Sequence, residues 1–314
     1  MAYRLSEINA AVRRDPVGFM EACDRDYQGK VARAADMICE NMRKSPVVLL
    51  SGPSGSGKTT TAEKLSQELE RRGVHTHAVS MDDYFLRPDS AGVPHTPDGM
   101  VDYESPELMD LKLLDEHFAK LTRGEWILVP KFEFARQMRN DSRGRPLKLG
   151  PDEVAIFEGI HALNTKLTSR HPDATRLYIS ARSDIVDDDG TVVFKRTWLR
   201  LTRRAVRDYN FRGTDVCGTL ELWANVRRGE KLYISPFKDN ATIVFDSSLP
   251  YEVNVIRAFA QPLFEHLHLS PDMERFEEVG QLVEAYPKFE ILDEKYVAED
   301  SLIREFIGGG IYDD

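Results

Sequence analysis

The segment Gly52-Pro53-Ser54-Gly55-Ser56-Gly57-Lys58-Thr59 constrains this chain more than any other. It has the form GxxxxGK[ST], it follows the apolar run Val47-Val48-Leu49-Leu50, and it opens a stretch with helical periodicity. Glycines at these spacings let backbone N–H groups converge on phosphate oxygens, and a helix N-terminus adds a favourable dipole. Lys58 is then placed to reach β- and γ-phosphates, and Thr59 to hold Mg²⁺. Gly52, Pro53, Ser54, Gly55, Ser56, Gly57, Lys58, Thr59 and Thr60 are therefore the expected nucleotide-binding residues.

Around this loop the texture alternates. Apolar runs predict strands at 47–50, 74–80, 126–129, 154–157, 176–180 and 242–245, with helices at 58–72 and 106–121. Buried strands separated by helices imply a parallel sheet covered on both faces, with ligands at the carboxyl ends of its strands. The expected class is α/β: a P-loop NTPase fold, a doubly wound parallel sheet with a helical lid and helical additions at both ends. Residues 1–45 read as helices, with Ile8/Val12 and Phe19/Cys23 spaced i, i+4 and Pro16 between the two runs. A kinase-sized domain is expected over 46–265, its lid at about 197–232, and a helical extension and tail over 266–314. Residues 86–105, rich in Pro, Gly and Asp, read as a loop, and 131–150 as a hairpin. Asp187-Asp188-Asp189-Gly190 reads as a turn, because it lacks the spaced ligands and terminal Glu of an EF-hand.

Bulk properties narrow the function. A net charge of −10 over 314 residues argues against a general nucleic-acid binder. Cys23, Cys39 and Cys217 are far apart and form no CxxC, which disfavours a disulfide framework or zinc site and suits a reducing cytoplasm. The opening MAYRLSEINAAVRRDP has no apolar core of a signal peptide, and no run approaches the roughly 18 apolar residues of a membrane span. A small-molecule partner is expected, with no nucleic acid and no membrane; a homo-oligomer is left open.

The remaining polar clusters address where a phosphate would go. No guanine-reading Asn-Lys-x-Asp is present, and Asn164-Thr165-Lys166 does not match it. The strand at 154–157 ends Phe157-Glu158-Gly159, a single carboxylate suited to a water-mediated Mg²⁺ ligand. Ser80-Met81-Asp82-Asp83-Tyr84-Phe85 follows the second strand and emerges beside the tip of the P-loop strand. Asp82 there can accept the proton of an attacking hydroxyl or help to hold Mg²⁺. If the segment stays extended, Asp83 points the other way. Arg200, Arg203, Arg204, Arg207 and Arg212 form a cluster in which i, i+3 and i, i+4 pairs share a helix face, with Asp208 in reach of Arg204. Gly213 permits a hinge. A mobile arginine helix closing over phosphates is the expected reading, since such lids exclude water and neutralise developing charge.

In this order the motifs resemble the uridine kinase and phosphoribulokinase family over about 46–265. The resemblance rests on the P-loop, Ser80–Phe85, Val101-Asp102-Tyr103, Pro130-Lys131-Phe132-Glu133-Phe134, Phe157-Glu158-Gly159-Ile160, and Arg203-Arg204-Ala205-Val206-Arg207-Asp208 with Arg212-Gly213. It is similar in particular to bacterial uridine kinase-like proteins with Val226-Arg227-Arg228-Gly229-Glu230, Ser235-Pro236-Phe237 and a tail like Ile303-Arg304-Glu305-Phe306-Ile307-Gly308-Gly309. The resemblance implies that Asp82 is the catalytic base for a ribose 5′-hydroxyl, and that Glu158 lies near Mg²⁺ with Thr59 and Asp82. It implies that Asp102 and Arg204 hold ribose hydroxyls, and that Arg207 and Arg212 contact the donor phosphates. Phe85, Phe134 and Ile160 become apolar walls of the acceptor pocket. Phe132 and Gln137 stand where the family's pyrimidine-reading Tyr and His stand, with Arg139 in the same hairpin, and Thr214 replaces a further lid arginine. A buried polar reader that is lost or exchanged changes specificity strongly. The expected activity is transfer of the γ-phosphate of ATP or GTP to the 5′-hydroxyl of uridine or cytidine. A kinase of the same fold acting on another sugar or polyol, and a non-catalytic nucleotide-binding regulator, are the alternatives.

Overall fold

Val47, Val48, Leu49 and Leu50 have at most 1% exposure and form the middle strand of the central sheet. In the computed structural model, which describes residues 2–87, 90, 92–96, 99–133, 136, 138–267 and 276–312, the chain begins with β1 (Ala2–Arg4), α1 (Leu5–Arg14) and α2 (Pro16–Asn41). Pro16 fits the first turn of α2 because its missing N–H needs no partner there, and Asp15 caps that turn by accepting from the Gly18 N–H at 3.0 Å. Strand β2 (Val47–Ser51), the P-loop, α3 (Lys58–Arg71) and β3 (His75–Ser80) follow. Next come α4 (Leu111–Thr122), four short strands β4 (Ile127–Val129), β5 (Phe132–Glu133), β6 (Met138–Arg139) and β7 (Arg145–Leu147), then β8 (Glu153–Glu158), α5 (Thr165–Thr168) and β9 (Thr175–Ser180). A hairpin of β10 (Asp184–Val186) and β11 (Val192–Phe194) leads into α6 (Arg196–Phe211) and α7 (Val216–Gly229). The chain closes with β12 (Ile243–Asp246), α8 (Glu252–Glu265), α9 (Phe276–Ala285) and α10 (Arg304–Ile307).

The central sheet is parallel throughout, in the order β12-β9-β2-β8-β3. Its register positions the chemistry: Ser80 and Leu50 both pair with Glu158, so three strands end level with one another. The P-loop, Glu158 and the turn carrying Asp82 therefore leave the same edge of the sheet, at the carboxyl ends where open α/β sheets bind ligands. One face buries Leu49, Val79, Phe157 and Phe118; the other buries Val48, Leu50, Ile156 and Leu65 in a core that also takes in α1, α2, α8, α9 and the segment 302–307.

Several expectations change. The expected strand at 126–129 lies outside the central sheet: β4 pairs antiparallel with β7, and its alternation of buried Ile127 and Val129 with exposed Leu128 is that of a strand with one wet face. The helix expected from 106 begins at Leu111; Pro106–Leu108 is a separate 3₁₀ turn, because Met109 is extended and Asp110 caps α4 through the Leu113 N–H at 3.0 Å. Residues 1–45 are not wholly helical, since β1 pairs in parallel with β10. Three residues carry no periodicity, and their partner lies about 180 positions away. Asp187–Gly190 is the turn of the β10–β11 hairpin, with Gly190 at φ 90°.

Candidate active site

A cavity of about 240 Å³ opens at the carboxyl edge of the sheet. The loop residues Ser54 to Thr59 form its floor, Asp82, Glu158 and Ile160 one wall, Arg204, Arg207 and Arg212 the opposite wall, and Glu104 and Glu305 complete it. Helix α3 begins at Lys58, so its first N–H groups, which have no partner within the helix, face this space. Lys58 Nζ lies 3.8 Å from Glu158 Oε1 and 3.4 Å from the Pro53 carbonyl, bridging the loop to the tip of β8.

Asp82 and Asp83 are unequal for a reason other than strand alternation. The segment Met81–Tyr84 is a 3₁₀ turn capped by Ser80, whose Oγ accepts from the Asp82 N–H at 3.3 Å. That turn sends Asp82 into the cavity. Asp83 faces the neighbouring hairpin, accepting from the Phe132 N–H at 3.1 Å and pairing with Lys131 at 3.2 Å. Asp82 is exposed to the cleft, yet the protein around it raises its pKa above the usual carboxylate range by desolvation; Lys58 opposes the rise, Asp83 adds to it, and Arg212 opposes it. Desolvation likewise raises Glu158, against the pull of Lys58. Glu104 is raised to about 7, chiefly by burial, with Arg204 opposing and the adjacent Asp102 reinforcing the shift.

The arginines of α6 separate into two sets. Arg204 donates to Ser54 Oγ at 3.0 Å and pairs with Asp208 at 3.2 Å; Arg207 also holds Asp208, at 2.7 Å, and Arg212 approaches it at 3.7 Å. These three reach the cavity. Arg200 and Arg203 do not line it: Arg200 is bound to Glu230 at 3.0 Å, and Arg203, with no exposed surface, is bound to Glu252 at 2.5 Å. Of the five arginines expected as one lid, two are therefore scaffold, and α6 itself is packed against α8 and α10.

On the acceptor side, Phe85 and Phe132 meet edge to face with centroids 5.8 Å apart. Asp102 is buried and accepts from Arg228 at 2.8 Å, from the Tyr233 hydroxyl at 3.2 Å and from the Glu104 N–H at 3.2 Å. Among the described residues it is Glu104, two positions on, that lines the cavity. Gly229 lets α7 approach there, since a Cβ at that position would lie 2.3 Å from the Glu104 Cβ. Arg139 pairs with Asp110 at 3.1 Å, tying β6 to the start of α4. Phe134 and Gln137 lie outside the described residues. Sequence reasoning assigned no role to Glu104, Arg228, Tyr233 or Glu305. Only the Arg227-Arg228-Gly229-Glu230 and Ile303–Gly309 motifs hinted at them, and their partners lie up to about 245 residues away.

Thr59, Asp82 and Glu158 offer the hard oxygen donors that Mg²⁺ prefers, and Lys58 keeps the site from being purely acidic. Among the described residues no three acidic, His or Cys side chains gather closely enough to hold a metal alone.

Residues 47–253 match the Phosphoribulokinase / Uridine kinase family. The chain belongs to this family. It is accordingly an ATP-dependent kinase, a phosphotransferase built on the P-loop α/β fold. Uridine kinase of Staphylococcus aureus strain JH9 is 28% identical over 204 residues, covering 65% of this chain and 88% of that protein. Among solved structures, a candidate fructose transport system kinase from Silicibacter sp. TM1040 superposes with a TM-score of 0.50 at 20% identity, covering 68% of this chain and 98% of that one. A candidate uridine kinase from Bacillus stearothermophilus gives 0.42 at 18% identity, with coverage of 68% and 98%. The kinase match stops short of the last 61 residues (314 − 253), which include the whole tail. No helix among the described residues is long and apolar enough to cross a membrane.

Proposed function

We propose that this kinase transfers the γ-phosphate of ATP to the 5′-hydroxyl of a pyrimidine nucleoside, uridine or cytidine, with Asp82 as the base. The observation that carries the reading is the single cavity in which Asp82 faces the P-loop lysine and three arginines of the α6 region. Asp82 takes the proton of the acceptor hydroxyl as its oxygen bonds to the γ-phosphorus; the bond to the β–γ bridging oxygen breaks and ADP leaves. A pKa raised by desolvation makes Asp82 a better proton acceptor than a fully hydrated aspartate. Lys58, Arg207 and Arg212 neutralise charge on the transferring group, an effect strengthened where water is excluded. Magnesium, held by Thr59 with Glu158 and Asp82, would supply further neutralisation of the donor phosphates. The 28% identical uridine kinase supports a nucleoside acceptor, and Asp102, held by Arg228 and Tyr233, is the group we assign to the ribose hydroxyls together with Arg204.

A second reading, phosphorylation of another sugar or polyol, is favoured by one observation. Phe132 is buried against Phe85 and brings no hydroxyl to read a base edge. A panel of nucleosides and sugars with ATP and Mg²⁺ decides between them: turnover of uridine or cytidine above all others supports the first, and turnover of sugars alone supports the second. Asp82→Asn should lower kcat at least ~100-fold while leaving nucleotide binding intact; near-normal turnover would remove Asp82 from the base's role.

A further inference from the structure

Beyond the family match the chain returns to the P-loop. Asp300 pairs with Lys64 of α3 at 2.5 Å, and the Tyr312 hydroxyl donates to Gln67 at 2.8 Å. Between them Leu302 fills the space above Gly57, where a Cβ would lie 2.3 Å from its methyl carbon, and the Arg203 guanidinium sits 5.2 Å from the Phe306 ring. Leu302, Ile303 and Phe306 have at most 1% exposure. Arg304 donates to the carbonyls of Glu294 at 2.9 Å, Val297 at 2.8 Å and Gly308 at 3.2 Å. The backbone of this tail is thus fixed on α3 and α6 by buried apolar contacts and by hydrogen bonds.

From that fixed backbone the side chain of Glu305 enters the cavity. Its Oε2 accepts from Thr60 Oγ1 at 2.7 Å and from the Thr60 N–H at 3.3 Å. Thr60 is the third residue of α3, so its N–H is one of the first-turn donors that lack an intrahelical partner. Those donors are what a P-loop offers to phosphate oxygens. Glu305 also feels the positive field of Arg212 and the negative field of Glu158.

We propose that Glu305 is an internal stand-in for a phosphate of the donor nucleotide: its carboxylate occupies the Thr60 donors in the empty enzyme and must leave them when the nucleotide binds. The inference rests on reading the P-loop as the donor site. Two anions cannot share the same two donors, because each adds Coulombic repulsion to the loss of the other's hydrogen bonds. Since the tail backbone is anchored, the movement required is a rotation of one side chain, and Arg212 is the cation toward which the displaced carboxylate turns. The tail thereby sets the donor affinity of a site whose other parts come from 52–212.

The test is calorimetric titration of Mg²⁺–ADP into the full chain and into E305Q and E305A. Glu305→Gln keeps the shape of the side chain and removes its charge; should Glu305→Ala fail to fold, E305Q decides alone. E305Q is expected to bind Mg²⁺–ADP roughly tenfold more tightly than the native chain, as follows from removing one competing charged hydrogen bond. The ATP KM should fall in the same direction, and the ligand-induced rise in Tm should grow. A carboxylate that only capped α3 would yield no gain in affinity. Unchanged or weaker Mg²⁺–ADP binding by E305Q would overturn the proposal. Failure of every form, including E305Q, to bind any nucleotide would overturn the donor-site reading as well.

Discussion

Helix α6 carries two pairs of arginines with the same spacing and opposite physics. Arg200 and Arg203 are bound inside the protein, whereas Arg204 and Arg207, one turn further along and rotated by only about 40° on the helix, line the cavity. Arg203 shows the first kind in full. Its guanidinium pairs with both Glu252 oxygens, at 2.5 and 2.6 Å, and donates to the carbonyls of Gly55 at 3.2 Å and Ser247 at 3.0 Å. Every partner is inside the protein, so desolvation is offset by four hydrogen bonds, and the result ties α6 to α8 and to the back of the P-loop. The cavity arginines instead share one carboxylate, Asp208, among three cations. They keep positive charge on the wall where phosphates are expected, with Glu104 and Glu305 as further acids in the same cavity. The lesson is that a run of arginines on one helix can be both frame and tool, with the position along the helix axis, one turn on, deciding which.

Substitutions sharpen that division. The largest effect is expected from Arg203→Met, which leaves Glu252 as a buried unpaired charge and should cost about 3–5 kcal/mol of stability. Denaturant unfolding measures it. Arg203→Met combined with Glu252→Leu removes both charges and should recover much of the loss; a double variant as unstable as the single one would mean that the bonds to Gly55 and Ser247, not the ion pair, hold α6. Next in size, Arg207→Met should lower kcat/KM by about 100-fold, as loss of one charge-stabilising donor does, with little change in the unfolding midpoint. A matching loss of stability would move Arg207 into the scaffold set.

The smallest effect concerns Glu104, opposite Arg204. Its pKa stands near 7, above the ordinary carboxylate value, because of burial. A raised acid binds its proton more tightly in the folded state, so this group favours folding below the unfolded pKa and opposes it increasingly as pH rises through 7. Glu104→Gln should therefore raise Tm relative to the native chain at pH 8 and by less at pH 6. A Tm difference that does not depend on pH would place Glu104 in water.

Much of the frame was legible. The P-loop spacing, the apolar runs of β2, β8 and β9 and the Glu158 strand tip lie within short windows whose pattern reports directly on backbone geometry. The N-terminal strand β1 and the exclusion of β4 from the central sheet were not legible, since three-residue strands are defined by their partners. The division among the α6 arginines was hidden for the same reason: i, i+3 spacing gives a shared face but not what that face meets, and Glu252 is 49 residues away.

The sequence by itself determined the chemistry a phosphate would meet, a glycine loop at a helix start with Lys58 and Thr59, because those contacts are local and mostly backbone. Only the tertiary structure decided which acids and arginines share that space. Asp82 enters it by a 3₁₀ turn rather than by strand alternation, Arg203 leaves it for the core, and Glu305 arrives from a tail about 245 residues from Thr60. Such choices belong to long-range packing, where a buried charge is stable only if the fold brings it a partner.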